Sequence, residues 1–400
     1  MGEPRLNRRW ELVALGILVN ACLGTVYSWS VFRTPLELVL GMSPGQSGVP
    51  YAVFLGAFAF SMPVGGLLIP RIGSRATLLL GGLLVGAGWI AAGLVDSYGL
   101  LVLTYGVIGG AGVGLGYGVP LAVAGSWFPD RRGLAMGLTL GGFGVSPFVT
   151  APLAERLIAG YDVQTAMVYL GIGFFAVIAA LFWVFRQPDA SGQLGASPDD
   201  DLSTRQMLRT GRFYVLWSTY ALGTLAGLTA IGMTASYAQQ VLGMDAAAAA
   251  LAVSVFGVMN GVGRPLFGWL HDRSKTHTAI VVAFALVALG ALLSFLASPN
   301  RLYLFYLGFS VLWLMLGGWL AIAPAATVRL FGATHYTPNY GVTYTAYGVG
   351  ALIGGAVSGI IFDLIGSYRP VFLVIVGLCV VGSVVAGVGL NPARIKRPAT

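Results

Sequence analysis

Arg264 stands inside a run of apolar residues, in the stretch VMNGVGRPLFGWLHDR (Val258–Arg273), with Asn260 one helical turn before it. A guanidinium presents paired donors that match the two oxygens of a carboxylate. Asn260, on the same helix face, is placed to hydrogen-bond a further oxygen or the guanidinium itself. A charge at bilayer depth costs about 2.5–3.5 kcal/mol on insertion scales, so something must offset it. All 14 carboxylates of the chain are assignable to loops or helix ends, which leaves Arg264 without an intramembrane counter-ion. The missing carboxylate is then that of a bound anion. The alternative reading is an arginine that snorkels to the surface or pins its helix to a neighbour.

Aromatic residues offer the rest of such a site. Tyr340, Tyr344 and Tyr347 lie close together, and Tyr344 and Tyr347, three apart, share a helix face. A phenol buried in a membrane needs a partner, which is a substrate oxygen on one reading and another helix on the other. Tyr117 is the one large residue in GGAGVGLGYG (Gly109–Gly118). That stretch is no dinucleotide loop, because no strand precedes it. Its glycines serve close helix packing, which leaves Tyr117 to stand out into a cavity. Phe143 suits an apolar wall for a short alkyl chain. Tyr27, in YSWS, is a further candidate, with simple packing as its other reading.

The elements that must position these residues are read from hydropathy. The 400-residue chain is 57% hydrophobic and 9% charged, with mean hydropathy +0.83, against roughly 25% charged residues in soluble domains. Apolar runs long enough to span a bilayer, about 20 residues each, occur at 10–33, 48–69, 76–95, 100–124, 133–158, 165–186, 212–241, 246–270, 276–297, 302–330, 338–365 and 368–390. The fold class expected is an all-α membrane protein of twelve transmembrane helices. Of the 22 Lys and Arg, Arg33, Arg156, Arg301 and Arg369 fall on one side of the membrane and Arg264 within a span. The others fall on the opposite side, so the positive-inside rule puts both termini in the cytoplasm of a cell (inner) membrane. The net charge of +8 is an orientation signal and not a nucleic-acid surface. Cys22 and Cys379 both lie in apolar runs and read as packing residues.

The segment 187–211 is the one extended polar stretch and reads as a cytoplasmic linker between six-helix bundles at 1–186 and 212–400. The halves are repeats. LGMS (Leu40–Ser43) recurs as LGMD (Leu242–Asp245), and Pro63, Gly66 and Arg71 recur as Pro265, Gly268 and Arg273 at the same spacing. GLTLGGFGV (Gly137–Val145) recurs as GVTYTAYGV (Gly341–Val349). Two parallel six-helix repeats place a substrate site near the midplane, between them. In that frame Phe58 and Met62 stand where the second half has Asn260 and Arg264, so the polar pair is an addition to a shared scaffold.

The chain resembles the major facilitator superfamily over nearly its whole length. The superfamily's loop motif is matched by GWLHDRSK (Gly268–Lys275), with a degenerate copy, GLLIPRIGSR, at Gly66–Arg75. GTVYSWSVFRTPL (Gly24–Leu36) and NYGVTYTAYG (Asn339–Gly348) resemble the oxalate/formate antiporter family, close to the monocarboxylate (lactate) transporters. The resemblance implies alternating access, and a tyrosine near Tyr117 in the site. It implies an acid four residues before the arginine of span 8, where this chain has Asn260. Oxalate transporters carry a lysine in span 11, and Tyr347 stands in its place. Two cations suit a dicarboxylate, whereas one cation with phenols suits a monocarboxylate.

The expectation is therefore a secondary active transporter of small, lactate-like monocarboxylates, coupled to H+, with an oxalate/formate-type anion exchanger as the alternative. Asp272 and Arg273, with Arg71 and Arg75, read as a cytoplasmic gate, or else as a solvated loop that sets topology. Pro63, Pro147, Pro265 and Pro324 fall inside spans. His271, His277 and His335 fall in cytoplasmic loops. No HExxH, nucleophile motif or Ser/His/Asp set can be assembled, so the chain is not read as an enzyme. No cofactor, metal or obligate protein partner is expected beyond cargo, proton and lipid bilayer.

Overall fold

A computed structural model describes residues 3–128, 132–186, 201–332 and 335–390. Helix α1 (Glu3–Leu23) passes through a 3-10 turn, Gly24–Ser28, and continues as Trp29–Leu40. The next helical stretch, Pro44–Ala92, has 49 residues. At 1.5 Å per residue it would be about 73 Å long if straight, more than twice a hydrocarbon core of about 30 Å. It is two spans, α2 and α3, joined at Gly73, whose φ of 84° and ψ of 158° interrupt the helix. A side chain rarely adopts that φ, so glycine makes the joint. There follow α4 (Tyr98–Trp127), α5 (Arg132–Gly160), α6 (Val163–Leu181), α7 (Gly211–Leu242), α8 (Ala246–Arg273), α9 (Thr276–Leu296), α10 (Leu302–Phe331), α11 (Tyr336–Ile365) and α12 (Arg369–Gly389).

These helices are long and apolar enough to cross a membrane, and the chain is an all-α, multi-pass membrane protein. The expected spans are recovered with two differences. The first span does not stop at Arg33 but runs to Leu40, and spans 2 and 3 meet without a loop. Helix starts carry side-chain caps: Asp245 accepts from the Ala248 N–H at 2.7 Å, and Ser43 and Gln46 form a capping box with Pro44 behind Ser43. Glycines in the left-handed conformation, Gly41 and Gly243, close the helices before them. They sit in the repeated LGMS and LGMD segments. The expected prolines lie within their helices, and neither cysteine is disulfide-bonded.

The two halves meet along two helix pairs, α2 with α11 and α5 with α8. The repeat maps α2 onto α8 and α11 onto α5, so the pairs are equivalent in the two-fold arrangement. One end of the bundle carries Gly73 and residues 201–210 and is termed the linker end. The other carries the turns at Gly41, Gly243 and Gly366 and is termed the far end. At the linker end, Thr204 donates to Asn339 Oδ1 and the Asn339 amide donates to the Leu202 carbonyl. This docks the described part of the linker onto α11; residues 187–200 of the expected linker lie outside the described residues.

Candidate functional site

Arg264 lies in α8, 6% exposed, at the crossing with α5. Its Nη1 donates to the Leu140 carbonyl of α5 at 2.6 Å, and Nη2 reaches Asn260 Oδ1 at 3.4 Å. Its Nε has no partner. Asn260 is fully buried, and its amide donates to the Trp313 carbonyl of α10 at 3.1 Å. That bond fixes which way the Asn260 oxygen points: toward Arg264 and toward Gly144. A Cβ at Gly144 would stand 2.8 Å from that oxygen, so the close α5–α8 crossing needs glycine there. Among the described residues no carboxylate lies within 4 Å of the Arg264 guanidinium.

The aromatic candidates converge on the same place. The Tyr117 phenol of α4 faces Arg264, and its ring meets Phe143 edge-on with centroids 5.2 Å apart. Phe143 meets Tyr27 at 5.1 Å, also edge-on. Tyr27 and Tyr347 join hydroxyls at 3.0 Å across the two halves. Tyr344 stacks on Tyr347 at 5.0 Å. All five are buried. The structure thus gathers every candidate that the sequence proposed for the central site.

Several contributors were not foreseen. Phe58 of α2 is the hub, with its ring 5.1 to 5.9 Å from Tyr117, Phe143, Tyr344 and Tyr347. Its signal was present, because Phe58 is the repeat partner of Asn260. Trp313 contacts Tyr27 at 6.4 Å and supplies the carbonyl that orients Asn260; nothing in the sequence singled it out. The Leu140 carbonyl is a backbone group and leaves no side-chain signature.

The expected gate at the linker end is arranged otherwise. Arg71, Arg75, Asp272 and Arg273 are all exposed, and among the described residues no ion pair joins them. Arg273 lies over the Trp269 ring at 4.4 Å, and the Asp272 carbonyl accepts from Arg329. His271 is no loop residue. It sits in the last turn of α8, buried and hydrogen-bonded to Thr276 at 3.2 Å. Arg33, read from the sequence as a loop charge at the far side, is 1% exposed within α1. Its Nε lies 3.9 Å from Glu37 Oε1, one helical turn away. The i,i+4 spacing of Arg33 and Glu37 in an apolar context was the available signal.

Among the described residues the long apolar helices form two sequence-related halves with a buried arginine where they cross, an architecture that membrane transporters use. Residues 13–328 match the model of the Major Facilitator Superfamily, and the chain belongs to that family. It is 30% identical over 376 residues to the oxalate:formate antiporter of Oxalobacter formigenes, covering 92% of this chain and 88% of that one. It is 26% identical to monocarboxylate transporter 12 of Rattus norvegicus, covering 97% and 86% respectively. In fold it is similar to a bacterial homologue of the human lysosomal transporter Spinster, with a TM-score of 0.79 at 15% identity over all of both chains.

Proposed function

We propose that this protein is a secondary active transporter of small monocarboxylates of the lactate type, moved with a proton by alternating access. The observation that carries this reading is Arg264, a buried guanidinium with an unpartnered Nε and no carboxylate beside it. A cargo carboxylate supplies the charge that the protein withholds, and charge-assisted bonds to a guanidinium are among the strongest available. Tyr117 and Asn260 hold its oxygens, and Phe143 and Phe58 wall a short alkyl chain. A single cation fits a single carboxylate. The linker end faces the cytoplasm of a cell membrane, in line with the charge bias.

A second reading, exchange of oxalate for formate, is favoured by the likeness to the Oxalobacter antiporter. The two separate in proteoliposomes given labelled lactate under an imposed pH gradient, with formate- and oxalate-loaded controls. Proton-coupled transport predicts lactate accumulation when the outside is acidic, without internal anion. Uptake that requires internal oxalate or formate and ignores the pH gradient overturns the first reading in favour of the second.

A further inference from the structure

The second buried arginine has a different set of partners. Arg33 Nε donates to Ser47 Oγ at 3.0 Å and Nη2 to the Pro44 carbonyl at 2.5 Å. The Ser47 hydroxyl in turn donates to Glu37. All of these belong to the first half. Nη1 alone crosses to the second half, where the Gly232 carbonyl of α7 accepts it at 3.0 Å. The far end is closed around this bond. Asp363, in the last turn of α11, accepts from Ser43 Oγ and from the Gly45 N–H at the start of α2, each at 3.1 Å. A Cβ at Gly359 would stand 2.6 Å from Gly45 Cα.

Beside the guanidinium is a water-sized recess, lined among others by Arg33, Tyr51, Thr229, Gly232 and Ser358. Tyr51 and Thr229 are 2% and 4% exposed, and neither hydroxyl has a hydrogen-bond partner. Buried hydroxyls are ordinarily satisfied; of the unpaired ones among the described residues, these two share a recess with a guanidinium, and together the three make a donor set for a ligand that this closed arrangement does not admit. A purely structural latch would use Arg33 and leave both hydroxyls unexplained. Tyr51 is also within electrostatic reach of Tyr27 and Tyr347, which puts the recess next to the central aromatic cluster on its far-end side. Its lining comes from both halves, so parting them at the far end widens it and frees Nη1 from Gly232.

We propose that the recess is a second carboxylate station on the far-end route to Arg264, formed by Arg33, Tyr51 and Thr229 when the halves part. Closure returns Nη1 to the Gly232 carbonyl and passes the cargo on to Arg264. Glu37 approaches the guanidinium from its Nε edge, on the side of Ser47. Its charge weakens the station relative to Arg264, and a transit site must release what it binds. The proposal rests on the small-carboxylate reading of the central site.

The test compares uptake of labelled lactate and of labelled oxalate from each face, using right-side-out and inverted membrane vesicles. Removing a hydrogen bond to a charged group corresponds to about a tenfold change in affinity. Tyr51→Phe and Thr229→Val are therefore expected to raise the KM about tenfold from the far-end face and to leave it unchanged from the linker-end face. An unchanged KM at both faces, or an equal rise at both, overturns the station. A second readout needs no transport substrate. With Cys22 and Cys379 replaced by serine, Thr229→Cys is labelled from the far-end face by sulfonatoethyl or trimethylammonioethyl methanethiosulfonate. The station predicts faster reaction with the anionic reagent, and loss of that preference when Arg33→Gln is added. No reaction, or no preference for the anion, overturns it. Lactate and oxalate that move in neither direction, with the anionic preference intact, would refute the central-site reading and leave the station standing.

Discussion

Arg33 and Arg264 are both arginines buried in helices where the two halves meet, and they are held in opposite ways. Each nitrogen of Arg33 has an acceptor, and a carboxylate lies one turn away on its own helix. Arg264 has one short bond to a backbone carbonyl, one long contact to an amide, the Tyr117 phenol facing it, and a bare Nε. Burying a charge is tolerated when it is paired and hydrogen-bonded. Arg33 meets that condition from within the protein, and Arg264 does not. The repeat sharpens the contrast, because Ala235 stands in the frame of Arg33 and Met62 in that of Arg264. Neither arginine belongs to the shared scaffold, so each answers a need of its own. One is satisfied from within the protein at the far end, and the other has no carboxylate beside it among the described residues.

The largest expected effect separates stability from transport. Arg264→Ala should abolish carboxylate uptake while keeping or raising the thermal stability of the detergent-solubilised protein. It removes an uncompensated charge worth about 2.5–3.5 kcal/mol on insertion scales. Arg33→Ala should do the reverse to stability. It leaves the partly buried Glu37 carboxylate with the Ser47 hydroxyl alone and removes a bond between the halves, at a cost below the roughly 3–5 kcal/mol of breaking a fully buried pair. Melting curves and uptake on the two variants decide it. A loss of stability in Arg264→Ala as large as in Arg33→Ala would make Arg264 a packing residue and collapse the contrast.

A double-mutant cycle refines the Arg33 side. Glu37→Gln keeps an acceptor for Ser47 and removes the charge, so it should cost less than Arg33→Ala. Combining Glu37→Gln with Arg33→Gln should be less destabilising than the two singles added together, by about 0.5–3 kcal/mol, as for residues in one network. Additive effects on the melting free energy would mean that the 3.9 Å approach of Arg33 and Glu37 carries no coupling. The far end would then be held by the Arg33–Gly232 bond, Asp363 and the glycine crossing, with no contribution from Glu37.

What could be read from the sequence follows from what hydropathy and repetition encode. The spans were legible because a bilayer demands long apolar runs. The central candidates were legible because Arg264 and Asn260 break the repeat while Pro265, Gly268 and Arg273 keep it. Arg33 was misread because a charge near the end of an apolar run looks like a loop charge. Only its i,i+4 relation to Glu37 shows that α1 continues and folds that charge inward. The gate expected from Arg71, Arg75, Asp272 and Arg273 depends on the relative register of helices from different halves, which no single-chain pattern specifies. The bond to the Leu140 carbonyl is of the same kind. Any residue at 140 offers a carbonyl, and only the approach of α5 to α8 at Gly144 delivers it.

The finest difference lies within the aromatic cluster, between a phenol that faces Arg264 and phenols that face each other across the halves. Tyr117 faces Arg264, whereas Tyr27 and Tyr347 satisfy each other across the halves at 3.0 Å. Tyr117→Phe removes a donor from the arginine site and should raise the KM for lactate, by about tenfold if that donor reaches the charged carboxylate. Tyr27→Phe removes one neutral hydrogen bond and leaves one phenol unpaired, a loss of roughly 1 kcal/mol. It acts on the closure of the halves and not on the cargo, so it should alter the maximal rate a few-fold and leave the KM within about twofold. Initial-rate uptake against lactate concentration separates the two. A KM rise in Tyr27→Phe equal to that in Tyr117→Phe would place the Tyr27–Tyr347 pair in the cargo's own coordination. Arg264 would then be one of several polar groups sharing the cargo, and its contrast with Arg33 would narrow to a difference of degree.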